Sequence, residues 1–181
     1  MTESMNGYVA FLRGINVGGR TVLKEQLKEA FASLGFQNVS TYKQSGNVVF
    51  EAFTANLQEI EAKIEDKLKS LLGYEVAAFV RAFSQLKGII DLDPFKGQTS
   101  EGTSFLVTFL PTDFSTFHME LPLVIPKSTA QIISAKDLEV FSITHGGGEG
   151  ALPNSFLEAK LKIKTTTRNM NTVRGILDKY S

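Results

Sequence analysis

The chain contains no cysteine in its 181 residues. Disulfides, thiol nucleophiles and thiolate metal sites are therefore excluded. Histidine is almost as scarce. Only His118 and His145 occur, and they sit at neither the helical nor the hairpin spacing used by zinc sites, so no metal and no cofactor are expected. Net charge is also missing: the formal sum is zero, and acidic and basic residues balance in each half when the chain is divided just after Arg81. Attraction of the whole molecule to nucleic acid or to an anionic membrane is not expected. No apolar run approaches the roughly 18 residues of a membrane span, and residues 1–7 lack the basic and then apolar pattern of a signal peptide. A cytoplasmic location without a membrane partner is expected.

The composition, 43% hydrophobic, is enough to bury a core, as one domain or as two small packed ones. Residues 8–12 form a continuous apolar run, the pattern of a central strand buried on both faces. It leads into the turn RGINVGGRT at residues 13–21, with a helix expected from about Val22. Leu23, Leu27, Phe31 and Leu34 recur at helical spacing, and Gly35 stands where a left-handed C-cap belongs. Residues 38–43 and 47–51 are β-branched and aromatic runs around Gln44-Ser45-Gly46, which is hairpin chemistry. Thr54 can cap a second helix with the stripe Leu57, Ile60, Ile64, Leu68 and Leu71, ended by Gly73, before a strand at 76–80.

Strand, helix, strand, strand, helix, strand is the ferredoxin-like, or split βαβ, order. In that plan the first and third strands are antiparallel neighbours, so residues 13–21 should face residues 44–47. Beyond residue 82, a short helix and a Gly/Ser/Thr-rich linker are expected over 83–102. Then follow a strand at 103–110, a helix at 111–121 capped by Thr112 or Asp113, and a hairpin of 131–134 and 137–144 about Ala135-Lys136. A helix at 155–161, a strand at 163–167 and a last helix at 170–180 complete the chain. The expected fold is α+β: two ferredoxin-like (βαββαβ) units in tandem, 1–82 and 103–181, with an extra C-terminal helix. The repeat is one of element order, without residue-level similarity.

Three stretches are candidates for chemistry. Gly14 and Gly19 with Arg20-Thr21 fit the P-loop spacing G-x-x-x-x-G-K-[ST] with arginine in place of lysine. Glycines let a backbone wrap an anion, and a helix N-terminus supplies partial positive charge. No strand ending in a magnesium-binding aspartate accompanies it, so a simpler anion site and a plain tight turn stand beside the nucleotide reading. Gln44, Ser45, Gly46 and Asn47 add amide and hydroxyl groups, although such residues are also what hairpins are made of. Residues 160–174 carry three lysines and two arginines without an acidic residue. Thr165 to Thr172 there read either as helix capping on a solvated basic face or as a second anion-binding helix terminus. The glycine-rich run at 146–150 reads as a mobile loop or as a lid over a ligand. His145 beside it has no carboxylate or hydroxyl partner at a telling spacing.

LRGINVGG at 12–19, YKQSGNVVF at 42–50 and TTRNMNT at 166–172 together resemble the bacterial family catalogued as domain of unknown function 1697. The resemblance spans nearly the whole chain and implies an α+β cytoplasmic protein of unassigned activity. It puts weight on Arg13, Asn16, Gly18, Gly19, Gln44, Ser45, Gly46, Asn47, Thr167, Arg168 and Asn169; Arg20 joins them from the loop spacing. The family pattern has an aromatic residue where Met170 stands. If that ring stacks on a ligand, the contact is lost here; if it packs in a core, methionine replaces it at modest cost. Three functions follow as expectations. The first is a binding module for a small phosphate- or carboxylate-bearing ligand. The second is single-stranded nucleic-acid binding on the sheet, and the third a metal-independent enzyme of unknown reaction.

Overall fold

The computed structural model describes residues 5–16, 18–43, 46–53, 56–99, 101–115, 117–146 and 153–181. Among these the chain is α+β, with five helices and two antiparallel sheets of four and five strands. It divides into two compact units: residues 1–86 with 179–181, and residues 87–178.

The first unit runs β1 (Asn6–Arg13), α1 (Lys24–Ala32), β2 (Gln37–Thr41), β3 (Asn47–Ala52), α2 (Leu57–Leu72) and β4 (Ala77–Ala82). Its strands lie in the order β2-β3-β1-β4. The apolar run reads correctly as a central strand, because Tyr8 through Leu12 are all buried. Tyr8, Ala10 and Leu12 face the helices. There they meet Val48 and Phe50 of β3, Ala78 and Val80 of β4, Leu27 and Phe31 of α1, and Ile60, Ile64 and Leu68 of α2. Phe50 centres this core, stacked on Phe36 at 4.5 Å and edge-on to Phe31 at 5.5 Å, arrangements that add to plain burial.

The helices differ in detail from the expectation. α1 starts at Lys24, and Leu23 is exposed, so the inward stripe begins at Leu27. Asn56 caps α2, its side chain accepting from the Glu59 N–H at 3.2 Å; Thr54, the expected cap, lies outside the described residues. Gly73 closes α2 in the left-handed conformation, φ 77°, as its position suggested.

β4 is an edge strand, and its outward N–H groups are covered. Ala78 donates to Glu65 Oε1 (2.9 Å), Val80 to Glu61 Oε1 (2.8 Å) and Ala82 to Gln85 Oε1 (2.8 Å). Glu61 and Glu65, four apart on α2, thus block edge-to-edge pairing. Arg81 is wholly buried beside them, donating to the Val80 carbonyl at 2.9 Å, with Nη1 3.8 Å from Glu61 Oε1.

The next helix, α3 (Phe83–Leu92), contains the boundary between the units. The second unit continues with β5 (Thr103–Phe109), β6 (Leu123–Val124), β7 (Ala130–Lys136), β8 (Glu139–His145), α4 (Pro153–Leu161), β9 (Thr166–Asn169) and most of α5 (Met170–Tyr180). The strand order is β6-β7-β8-β5-β9. No helix occupies the described residues of 111–121. Phe117, Met119 and Leu121 are half-buried and alternate with exposed His118 and Glu120, so this is a period-2 extended segment laid against the core. Pro111 and Pro122 bracket it, and its Ser and Thr residues are weak helix formers. The following two-residue strand β6 was not anticipated. The β7–β8 turn falls at Asp137-Leu138, two residues later than expected, with Asp137 at φ 53°. Asp tolerates that conformation, which favours the later turn. Met170 is buried, at 1% exposure, as the packing alternative required.

Candidate functional site

In the first unit, β1 and β3 pair antiparallel with Phe11 opposite Asn47, and the Leu12 N–H donates to the Gly46 carbonyl at 2.8 Å. The glycine-rich loop therefore leaves the sheet beside the β2–β3 hairpin. Gln44 and Ser45 lie outside the described residues, as does Val17. Within the loop, Gly14, Gly18 and Gly19 all have positive φ, at 82°, 62° and 76°. An added Cβ at Gly18 or Gly19 would meet nothing within 4 Å. These two glycines are thus required by backbone conformation, and they face open space.

Two side chains shape the loop. Asn16 Oδ1 accepts from the Val22 N–H at 3.0 Å and closes the loop on itself. Tyr74, just past the end of α2, donates its hydroxyl to the Ile15 carbonyl at 2.7 Å, and the Arg20 guanidinium lies 4.7 Å from the centre of its ring. Tyr74 is a residue that sequence reasoning missed, because nothing local ties position 74 to position 20. Arg20 is exposed and Arg13, at the end of β1, half-buried.

The loop is not arranged as a nucleotide P-loop. There the lysine and hydroxyl residue open the helix, so that free N–H groups of the first turn surround the phosphates. Here α1 begins four residues after Arg20. The Val22 N–H is taken by Asn16, and the Leu23 N–H by Gln26 Oε1 at 3.1 Å.

Other expected site residues have structural work. Asn47 is buried; its Nδ2 donates to the Tyr42 carbonyl at 3.2 Å, while its own carbonyl accepts from the Tyr42 N–H at 2.9 Å. Near this hairpin the Tyr180 hydroxyl shares a hydrogen bond with Ser40 Oγ at 3.0 Å. Burial opposes ionisation of Tyr180, but the hydrogen bonds to Ser40 and Lys179 and the charges of Lys179 and Lys28 outweigh it, so its pKa lies below the ordinary value.

Thr167, Arg168 and Asn169 belong to the second unit and form β9 opposite β5. Thr167 bonds Thr108, hydroxyl to hydroxyl, at 2.8 Å. Arg168 Nη1 folds back onto its own strand, donating to Thr166 Oγ1 (2.7 Å) and to the Thr167 carbonyl (2.9 Å). Asn169 Oδ1 accepts from the Asn171 N–H at 2.9 Å and caps α5. At the other end of this sheet His145 Nδ1 lies 3.1 Å from Thr103 Oγ1. That hydroxyl partner comes from 42 residues away, across the β5–β8 ladder. Of the glycine-rich run, residues 147–150 lie outside the described residues.

The loop and the described part of the hairpin both lie within a stretch that a family model matches. Residues 5–139 match the family model described as "Protein of unknown function (DUF1697)". The chain belongs to this family. Among solved structures it is similar to the conserved bacterial protein SP0830 from Streptococcus pneumoniae. The two share 18% identity with a TM-score of 0.71, over 97% of this chain and 98% of that one. At that identity the likeness concerns the fold. No curated protein matches the chain. Among the described residues no helix is long and apolar enough to cross a membrane, and no group of three or more His, Asp or Glu is placed to hold a metal ion.

Proposed function

We propose that this DUF1697 protein is a binding module for a small phosphate- or carboxylate-bearing ligand, taken up by the loop after β1. The observation that carries the reading is the exposed Gly18-Gly19 pair in left-handed backbone, followed by an arginine held on Tyr74. Successive backbone N–H groups in such turns form anion-binding concavities. A guanidinium already oriented by a ring loses less freedom on meeting an oxyanion than a free one. Asn16 and Asn47 then act by shaping the loop and hairpin, and Arg20, Gly18, Gly19, Gly46 and Arg13 are the groups nearest a ligand. The closed first turn of α1 favours a single phosphate or carboxylate over a nucleoside triphosphate. We also read both units as ferredoxin-like, the second with its first helix replaced by the extended segment before β6.

The nucleic-acid alternative needs aromatic rings exposed on a sheet. In the first sheet Tyr8, Phe11, Phe50 and Phe79 are all buried, so the binding-module reading is preferred. Its test is a thermal melt with inorganic phosphate, sugar phosphates, nucleotides and dicarboxylates. A ligand at 100 times its Kd stabilises by about 2.7 kcal/mol. Arg20→Ala should abolish that shift while leaving the unliganded melt within about 1 kcal/mol of wild type, the worth of an exposed cation–π contact. No shift with any of these anions, or an undiminished one in both Arg20→Ala and Arg13→Ala, would overturn the proposal.

A further inference from the structure

In the second unit, helices α3 and α5 border a groove of about 280 Å³ lined by Lys87, Ile90, Asp91, Arg174, Leu177 and Asp178. On each helix a cation precedes a carboxylate by four residues, which sets the two charges on one side of that helix. In this order, with the cation nearer the N-terminus, pairing along a helix is the weaker of the two orientations. None of the four groups makes an ion pair within 4.0 Å or a hydrogen bond among the described residues, unlike Lys28, Lys63 and Lys69 on the first unit's helices. Two cations and two carboxylates thus share one concave space without neutralising each other. Between them the floor is apolar, with Leu177 buried and Ile90 half-buried.

We infer that this groove is a binding site for a small zwitterion, an α-amino acid with an aliphatic side chain. Lys87 and Arg174 take its carboxylate, Asp91 and Asp178 its ammonium group, and the side chain lies on Ile90 and Leu177. A plain anion would face two carboxylates, a plain cation would face two basic groups, and an uncharged apolar molecule would leave four charges unanswered. Only a ligand with both signs and an apolar part answers the whole lining. The volume is near the lower end of small-ligand pockets, roughly 300 Å³, the scale of one amino acid. All four charged residues are exposed, so screening by water keeps the affinity modest, in the millimolar range by the worth of exposed ion pairs.

The experiment is an amide NMR titration of the full chain with L-leucine, with 3-methylbutylamine, which lacks the carboxylate, and with 4-methylpentanoate, which lacks the ammonium. Leucine should move amides of α3 and α5 saturably, and each single-charge analogue should bind about tenfold more weakly. Arg174→Gln and Asp178→Asn should each weaken leucine by a similar factor with the rest of the spectrum unchanged. Asp178→Asn should leave 4-methylpentanoate as before or improve it. No saturable shift on these helices up to about 50 mM, a range that covers millimolar binding, would overturn the inference. Equal binding of leucine and its single-charge analogues, or unaltered binding in both variants, would do so too. Phosphate binding at the β1 loop is read separately in the same spectra, so either site can fail alone.

Discussion

Replacing Glu61 by alanine tests the account of the first unit most severely. Arg81 is 0% exposed and the Glu61 side chain 9%, so the pair sits where removing one partner leaves a charge in poorly solvated surroundings. Breaking such a buried pair costs about 3–5 kcal/mol. The same carboxylate accepts the Val80 N–H at 2.8 Å, and an unmet buried donor costs roughly 1–3 kcal/mol. The two losses share one group and do not add in full. A fall of about 3–5 kcal/mol is therefore expected, roughly a fifth or more of a typical domain's stability. Urea unfolding followed by a probe in the first unit reads it as a lower midpoint, displaced by about 1 M or more for an m-value of 1–3 kcal/mol/M. Glu61→Gln separates the contributions, because the amide oxygen can still accept from Val80 while the charge is gone. It should cost less than Glu61→Ala. Arg81→Met in the Glu61→Gln background should recover much of the loss, since apolar residues of similar volume often replace buried ion pairs without penalty. If Glu61→Ala costs under about 1 kcal/mol, the pair behaves like a solvated surface bridge and the reasoning fails. It fails equally if Arg81→Met deepens the loss.

Tyr74→Phe removes the hydroxyl that holds the Ile15 carbonyl and should cost about 0.5–1.5 kcal/mol; because the ring under Arg20 remains, phosphate affinity in the melt should change less than in Tyr74→Leu. Asn169→Ala should destabilise by about 0.5–2 kcal/mol through the lost cap on α5, read from the loss of helical circular dichroism on heating; an unchanged melt would mean that Asn169 has no capping role. Burial raises the Tyr8 pKa, with the Asn6 hydrogen bond opposing it more weakly. A folded pKa above the unfolded value of about 10 gives a contribution that is intact below that value and lost as pH rises through the folded pKa. Tyr8→Phe should therefore flatten the decline of stability above about pH 10, and identical pH slopes for the two proteins would count against the assignment.

Local pattern carried far in this chain where one chemical signal fixed one local outcome. The apolar run at 8–12 became a strand buried on both faces, the stripe Ile60, Ile64 and Leu68 became the inward face of α2, and Gly73 became its left-handed cap. From these elements the pairing of the first and third strands follows, and with it the hydrogen bond from Leu12, at the end of β1, to Gly46. The segment 111–121 misled because Phe114 and Phe117 fit a helical spacing as well as Phe117, Met119 and Leu121 fit an extended one. A short apolar stretch between prolines satisfies either period, and packing against the second core chose the extended form.

The sequence by itself determined the first unit's strands and helices and where glycine must permit a left-handed turn, because each depends on neighbours within a few positions, and its separated motifs pointed to the family. Tertiary structure alone decided what the polar residues do. Asn16, Asn47 and Asn169 have the same side chain and could each have been ligand contacts. Their partners, the Val22 N–H, the Tyr42 carbonyl and the Asn171 N–H, are fixed by loop and hairpin geometry that composition does not encode. The seat of Arg20 on Tyr74, the Glu61 carboxylate on the edge of β4 and the Thr103 hydroxyl beside His145 join positions many residues apart. A hydrogen bond or a ring contact acts over a few ångströms of space and is indifferent to distance along the chain, so only folding could reveal them.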